Sequence, residues 1–248
     1  MNKTFKAGFF LITFLSVFFI FNNWTVEATP EQDEGPIEKD TLEDDAVNEK
    51  NEAKTFNNQA RSQNKTFKIF LDPGHGGGDP GAQYNGLNEK DVVLDIASET
   101  KKVLDNEYEG VETKMSRTTD KSVELTDRAQ LANEWGADFF TSFHLNSFDG
   151  TASGFESYIY NGNVSDETKV RQDHVHTYLA DRLEIDDRGK KVANFSVLRN
   201  TAMSAILLEY MFIDNENENE LLQKDSYREH LGKLTADAIA DTYDLNKK

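Results

Sequence analysis

The segment Phe67-Lys68-Ile69-Phe70-Leu71-Asp72-Pro73-Gly74-His75-Gly76-Gly77-Gly78 runs from an apolar stretch straight into a glycine-rich turn that holds a histidine. Residues 67–71 read as a strand. The glycines let the backbone turn sharply around His75 and let another molecule approach it closely. Beyond the turn, Val92, Val93, Ile96, Ala97, Thr100 and Leu104 recur at helical spacing. Strand, turn and helix thus follow in order.

The same alternation continues towards the C-terminus. Residues 111–115, 138–143 and 155–160 read as strands, and 205–208 as a short, wholly apolar one. Helices are expected over 125–135, capped by Thr126, over 166–183, and in a long segment over 226–243. This pattern predicts an α/β sheet sandwiched by helices, filling residues 67–248 as one domain.

The stretch before residue 67 differs in kind. Lys3 and Lys6 precede an apolar run over 7–21, and Val26-Glu27-Ala28 places small residues where a signal peptidase reads them. Residues 1–28 read as an export signal cleaved after Ala28. The competing reading is an uncleaved membrane anchor, for which the run is short, since a spanning helix needs about 20 apolar residues. Residues 29–66 crowd Glu31, Asp33, Glu34, Glu38, Asp40, Glu43, Asp44 and Asp45 with few large apolar side chains. Burial there cannot offset ordering entropy, so a disordered acidic linker is expected. An autoinhibitory or partner-binding tail is the alternative.

Composition narrows the chemistry. The net charge of −18 disfavours binding to nucleic acid. Cysteine is absent, which removes disulfides, thiolate-bound metal and thiol nucleophiles together. A metal site must use His, Asp or Glu. A nucleophile must be Ser, Thr, Lys, a carboxylate or activated water.

Three strands end on candidate functional residues: the first on Asp72 and the His75 turn, another on Ser142-Phe143-His144, and the short apolar one on Glu209. Ligands of open α/β sheets bind outside the carboxyl ends of strands, so parallel strands would bring His75, His144 and Glu209 to one edge. Glu89 opens the helix after the glycine turn, with Asn88 as its cap, four residues before Val93 of the apolar face. It therefore points inward. Two histidines and a glutamate suit catalytic zinc, which keeps three protein ligands and one open position. Such a metal lowers the pKa of bound water towards roughly 7. Glu209 is placed to take the proton and deliver it to a leaving amine. Each residue also has an ordinary reading: a structural histidine after a strand, or a helix-start acid favoured by the dipole. Glu209 is the least ordinary, because a carboxylate ending an apolar run is costly to bury unpaired. A phosphate loop is discounted, since the glycine turn lacks the Lys-Ser/Thr pair. His174, His176 and His230 read as surface or core residues.

Taken together these motifs resemble the zinc-dependent N-acetylmuramoyl-L-alanine amidases of bacterial cell-wall hydrolysis, the amidase type 3 group. The residues that carry the resemblance span about 68–243: Ile69 to Gly77, Glu89-Lys90-Asp91, Ser116-Arg117 with Asp120, Leu125 and Arg128 with Ala132-Asn133, and Ala137-Asp138. Ser142 to Asn146, Gly154-Phe155-Glu156, Arg188-Gly189, Val197-Leu198-Arg199, and Glu209 with Phe212 and Asn215 continue it. The resemblance implies a mixed, largely parallel sheet of about six strands flanked by helices. It implies one Zn2+ held by His75, Glu89 and His144, with Glu209 as catalytic base and acid. The implied reaction is hydrolysis, by zinc-activated water, of the amide joining N-acetylmuramic acid to L-alanine of the stem peptide. The implied setting is the cell wall, with peptidoglycan as partner, as for an autolysin. No organic cofactor is expected, and membrane contact only if residues 1–28 stay uncleaved. Asp72 is expected to orient His75. Ser116, Ser204 and Met211 depart from the family's usual Thr, Pro and Gly, and the last two are expected to reshape the substrate groove. A zinc peptidase acting on stem peptides, an inactive wall-binding module and a metal-free structural domain are the alternatives.

Overall fold

A computed structural model describes residues 65–248. The export signal expected over 1–28, and all but the last two residues of the expected acidic linker, lie outside them. In chain order the elements are β1 (Phe67–Pro73), a small hairpin of β2 (Gln83–Tyr84) and β3 (Leu87–Asn88), α1 (Glu89–Glu107), β4 (Val111–Met115), α2 (Leu125–Trp135), β5 (Phe139–Asn146), β6 (Phe155–Tyr160), α3 (Asp166–Ala180), β7 (Asp187–Ala193), α4 (Ser196–Arg199), β8 (Ser204–Phe212), α5 (Glu216–Leu222) and α6 (Asp225–Thr242). Six strands form one sheet in the order β4-β1-β5-β8-β6-β7. The pairs β4-β1, β1-β5 and β5-β8 are parallel, β8-β6 is antiparallel and β6-β7 is parallel. The sheet is therefore α/β, mixed and mostly parallel, with β6 and β7 reversed. Among the described residues no helix is long and apolar enough to cross a membrane.

Strand alternation sorts side chains onto two faces. Ile69 and Leu71, Phe139 and Phe143, and Ile206 and Leu208 enter the larger core with Val92, Val93 and Ile96 of α1, Leu179 of α3 and Ile239 of α6. Phe70, Phe140 and Leu207 enter a smaller core under Ala132 of α2 and Val197 and Leu198 of α4. By the same alternation, Asp72, Ser142, His144 and Glu209 belong to this second face, beyond the end of its apolar patch. The small size of that layer leaves the strand ends open there.

Local details differ from the expectations in three places. Glu124, not Thr126, is the N-cap of α2, and Thr126 lies inside the first turn, bonding only Asp127. Asn88 caps α1 by position, but its side chain donates to Asp91 rather than accepting from the backbone. β7 was not expected as a strand: Asp187-Arg188-Gly189-Lys190-Lys191-Val192-Ala193 is polar and lies at the sheet edge, so it carries no buried alternation to read.

Candidate functional site

The turn after β1 is built to carry His75. Its φ of +56° is in the left-handed region, where a non-glycine residue is strained. Two buried guanidinium groups hold that shape. Arg117 donates to the carbonyls of Pro73 (3.1 Å) and Gly74 (2.7 Å). Arg128 donates to Pro73 O (2.7 Å), His75 O (2.6 Å) and the buried Asp72 carboxylate (2.8 Å). Asp72 also accepts from Ser142 Oγ at 2.8 Å. Asp72 therefore anchors Arg128 and does not orient His75. That task falls to Asp79, whose Oδ2 lies 2.8 Å from His75 Nδ1 and leaves Nε2 facing inward.

His75 Nε2 and His144 Nδ1 both approach Glu89 Oε1, at 3.1 and 2.9 Å. The Leu145 N–H donates to the same oxygen at 3.0 Å, and the Ala82 N–H to Oε2 at 2.9 Å. One ligand atom from each of His75, Glu89 and His144 falls within 4.8 Å of the others, an arrangement able to hold a metal ion. Two glycines make room for it. A β-carbon at Gly74 would collide with the His144 ring, and one at Gly81, where φ is +67°, would lie 2.7 Å from Glu89 Oε2. Burial works against charge on Glu89 and His75, yet their mutual attraction prevails. Glu89 is held far below the usual carboxylate range by the two imidazoles, and His75 is raised by Glu89 and Asp79.

Glu209 is the direct register partner of His144 on the neighbouring strand. Its Oε2 is enclosed and has no hydrogen-bond partner among the described residues. Burial first, then the charges of Glu89 and Glu156, push its pKa well above the ordinary value, with Lys191 opposing. His75, His144 and Glu209 line one cleft of about 480 Å3, with Gly74, Asp79, Val123, Leu125, Phe195 and Val197 among its other walls. Leu125 and Phe195 remain 63% and 38% exposed, so the cleft has an apolar lip.

The structure thus brings together the four residues singled out from sequence. It also adds several that sequence reasoning missed. Asp79 lies four residues after His75, a spacing that could have drawn attention. Arg117 and Arg128 were noted only as matching positions, and nothing local marks an arginine as buried. Glu156 lies on β6 directly opposite Glu209. It accepts from Lys191 Nζ, Tyr158 OH (2.6 Å), Arg188 Nε (2.8 Å) and Asn146 Nδ2 (3.1 Å). Burial opposes its ionisation, but these donors hold its pKa down at about 2.

The two departures expected to reshape the groove do not line the cleft. Ser204 begins β8 at the far end of the sheet, bonded to Thr168 and lining a separate cavity. Met211 is fully buried in the larger core, at a bulge where Glu209 to Phe212 on β8 runs against His144 to Asn146 on β5. That extra residue turns Met211 inward. Ser116 is buried, and its hydroxyl lacks a partner.

Comparison with known proteins agrees with this architecture. A family model described as N-acetylmuramoyl-L-alanine amidase matches residues 69–241. A sporulation-specific N-acetylmuramoyl-L-alanine amidase of Bacillus subtilis is 48% identical over 180 residues, covering 73% of this chain and 69% of that one. N-acetylmuramoyl-L-alanine amidase CwlM of Bacillus licheniformis is 46% identical over 180 residues, covering 73% and 70%. The crystal structure of an N-acetylmuramoyl-L-alanine amidase from Clostridium difficile 630 superposes with a TM-score of 0.68 at 32% identity, over 73% of this chain and 98% of that one. On this sequence match and this shared fold, the chain belongs to the N-acetylmuramoyl-L-alanine amidase family.

Proposed function

We propose that this protein is an exported peptidoglycan hydrolase that cleaves the amide between N-acetylmuramic acid and L-alanine of the stem peptide, with one zinc ion held by His75, Glu89 and His144. The observation that carries the reading is a His-Glu-His donor set whose two histidines share one cleft with Glu209, a carboxylate whose Oε2 has no hydrogen-bond partner among the described residues. The donor set fits zinc: nitrogen and carboxylate oxygen are ligands it takes, three are present, and Asp79 and the Ala82 N–H support two of them from behind. Bound there, the metal would supply Lewis acidity and make water a nucleophile near neutral pH.

The chain's own residues do the remaining work. Glu209 takes a proton from the attacking water and returns it to the departing amine of L-alanine. In the metal-free site burial and the charges of Glu89 and Glu156 raise its proton affinity; a cation on the donor set would offset part of that and leave Glu209 able both to take and to return the proton. The Arg117 and Arg128 clamps keep His75 in its strained backbone state, so the donor set is in place before substrate arrives. The lip of Leu125 and Phe195 offers apolar surface to the non-reacting parts of the substrate.

The test uses the full chain and isolated cell walls, with and without a chelator, followed by identification of the new ends. New L-alanine amino groups, no new reducing sugars and loss of activity with chelator are expected. Ends within the stem peptide would establish a peptidase instead, and co-sedimentation without new ends a binding module. Export is tested separately by N-terminal sequencing of the secreted protein. A start at Thr29 is expected; a start at Met1 in the membrane fraction would mean an uncleaved anchor.

A further inference from the structure

The face of the sheet that carries His144 and Glu209 does not end with them. Across β8, β6 and β7 the register places Glu156 opposite Glu209 and pairs Tyr158 with Lys191. Strand alternation puts Glu156, Tyr158 and Lys191 on the same face as Glu209. A bulge in β7 between the Phe155 and Ser157 pairings turns Arg188 towards them as well. Both cations bond the Glu156 carboxylate, which is 4% exposed, while their own side chains remain 37% and 34% exposed. Arg188 also donates to Ser153 O and lies 4.8 Å from the Phe212 ring, leaving Nη2 without a partner among the described residues. Arg188 Nη2 and part of the Lys191 side chain therefore keep donors facing solvent. Asp186 and Asp187 line the same pocket, but Asp187 accepts from the Gly189 N–H and meets His176, and Asp186 accepts from Ser153 Oγ, so the two cations remain bonded to Glu156 alone among the nearby carboxylates.

We propose that Arg188 and Lys191, gathered by Glu156, form a subsite for a free carboxylate on the peptide half of the substrate. This rests on the amidase reading above. If Glu209 returns a proton to the departing amine, that amine lies beside Glu209. The donor set occupies the β1 and β5 side, so the peptide half leaves over β6 and β7. Lys191 stands two strands over and two residues back from Glu209, roughly 12 Å between backbone positions at the usual strand spacings, and its side chain reaches Glu156 beside Glu209, within reach of a carboxylate one or two residues past the cut bond. Phe195, packed on Tyr158 with ring centres 5.3 Å apart, joins the cleft to this cluster. In a chain of net charge −18 an anionic peptide is otherwise repelled, so its carboxylate needs directed donors, and Arg188 and Lys191 present them on this face.

The test compares two substrates, N-acetylmuramoyl-L-alanyl-D-isoglutamate and its D-isoglutamine amide, with the zinc-loaded full chain. The unaltered protein should favour the carboxylate by about tenfold in kcat/KM, the worth of one hydrogen bond to a charged group. Lys191→Met and Arg188→Gln should remove that preference, lowering kcat/KM on the carboxylate substrate about tenfold more than on the amide. Arg188→Lys should restore part of it, and if Arg188→Gln does not fold, Lys191→Met decides alone. Equal cleavage of the two substrates by the unaltered protein, or equal losses on both in the variants, would overturn the subsite and leave the amidase reading standing. Cleavage of neither substrate would overturn both.

Discussion

The two halves of the sheet are built on different physics. The parallel half, β4-β1-β5-β8, is apolar where it is central. β5 and β8 are buried almost throughout, buried arginines hold the turn after β1, and the Leu145 N–H near the end of β5 holds Glu89. The reversed pair, β6 and β7, finishes in a polar, largely exposed strand. The boundary falls between two carboxylates that face each other in register, Glu209 and Glu156. Glu209 has a desolvated carboxyl and negative neighbours but, among the described residues, no donor for Oε2; Glu156, 3% exposed, has four donors. One is therefore drawn to its protonated form and the other is kept ionised. Identical side chains one strand apart acquire opposite chemistry because desolvation and like charges prevail at Glu209, while donors prevail at Glu156.

The largest break in this comparison should come from Glu209→Gln. It removes the proton carrier without changing shape, and kcat should fall by about 10^3-fold while bound zinc, measured by elemental analysis, remains stoichiometric. Retained turnover would move the proton-carrying role elsewhere. Arg128→Met strips the clamp from the Asp72 carboxylate and the His75 carbonyl. Denaturant unfolding should report a loss of about 3–5 kcal/mol, the cost of leaving a buried charge alone. A loss below 1 kcal/mol would mean that the turn keeps its strained shape without the clamp.

Gly74→Ala tests the tight side of the parallel half. Its methyl group would displace the His144 ring, and zinc affinity measured by competition with a chromogenic chelator should drop by about 10–100-fold. Unchanged affinity would show that the ring has room to move. The smallest effect is the one that sharpens the comparison most. Glu156, depressed to about 2, contributes stability that is present above its unfolded value near 4.3 and is lost as pH falls towards 2. Glu209, raised in the fold, does the reverse: the folded state holds a proton that the unfolded state releases, so stability falls as pH rises from about 4.3 towards neutrality. In the metal-free protein, Glu156→Gln should therefore flatten the acid limb of the stability curve, and Glu209→Gln should raise stability at pH 7. Shifts of the same sign in both variants would contradict the donor argument.

Much of this was legible in the chain. The α/β class followed from alternating strand and helix periods, and the grouping of His75, His144 and Glu209 followed from the single rule that ligands gather at the carboxyl ends of parallel strands. Glu89 was legible because helical spacing turned it inward. What could not be read were partners set by packing between distant segments. Arg128 reaches Asp72 across 56 residues, and Lys191 reaches Glu156 across 35. β7 was missed because an edge strand needs no apolar alternation. Met211 could not be placed because a bulge shifts the face of a strand without leaving a mark in composition.

By itself, then, the sequence determined the alternation of the main strands and helices, the absence of thiol chemistry, and which four side chains stand at strand ends and a helix start, because local periodicity and residue chemistry are carried by neighbouring residues. Only the tertiary structure decided that Asp79 rather than Asp72 backs His75, that Glu209 lacks the donors Glu156 enjoys, and that a cationic pair lies on the same face as the cleft. Those properties depend on which distant groups share a few ångströms of low-dielectric space, and that distance is set by the folded sheet.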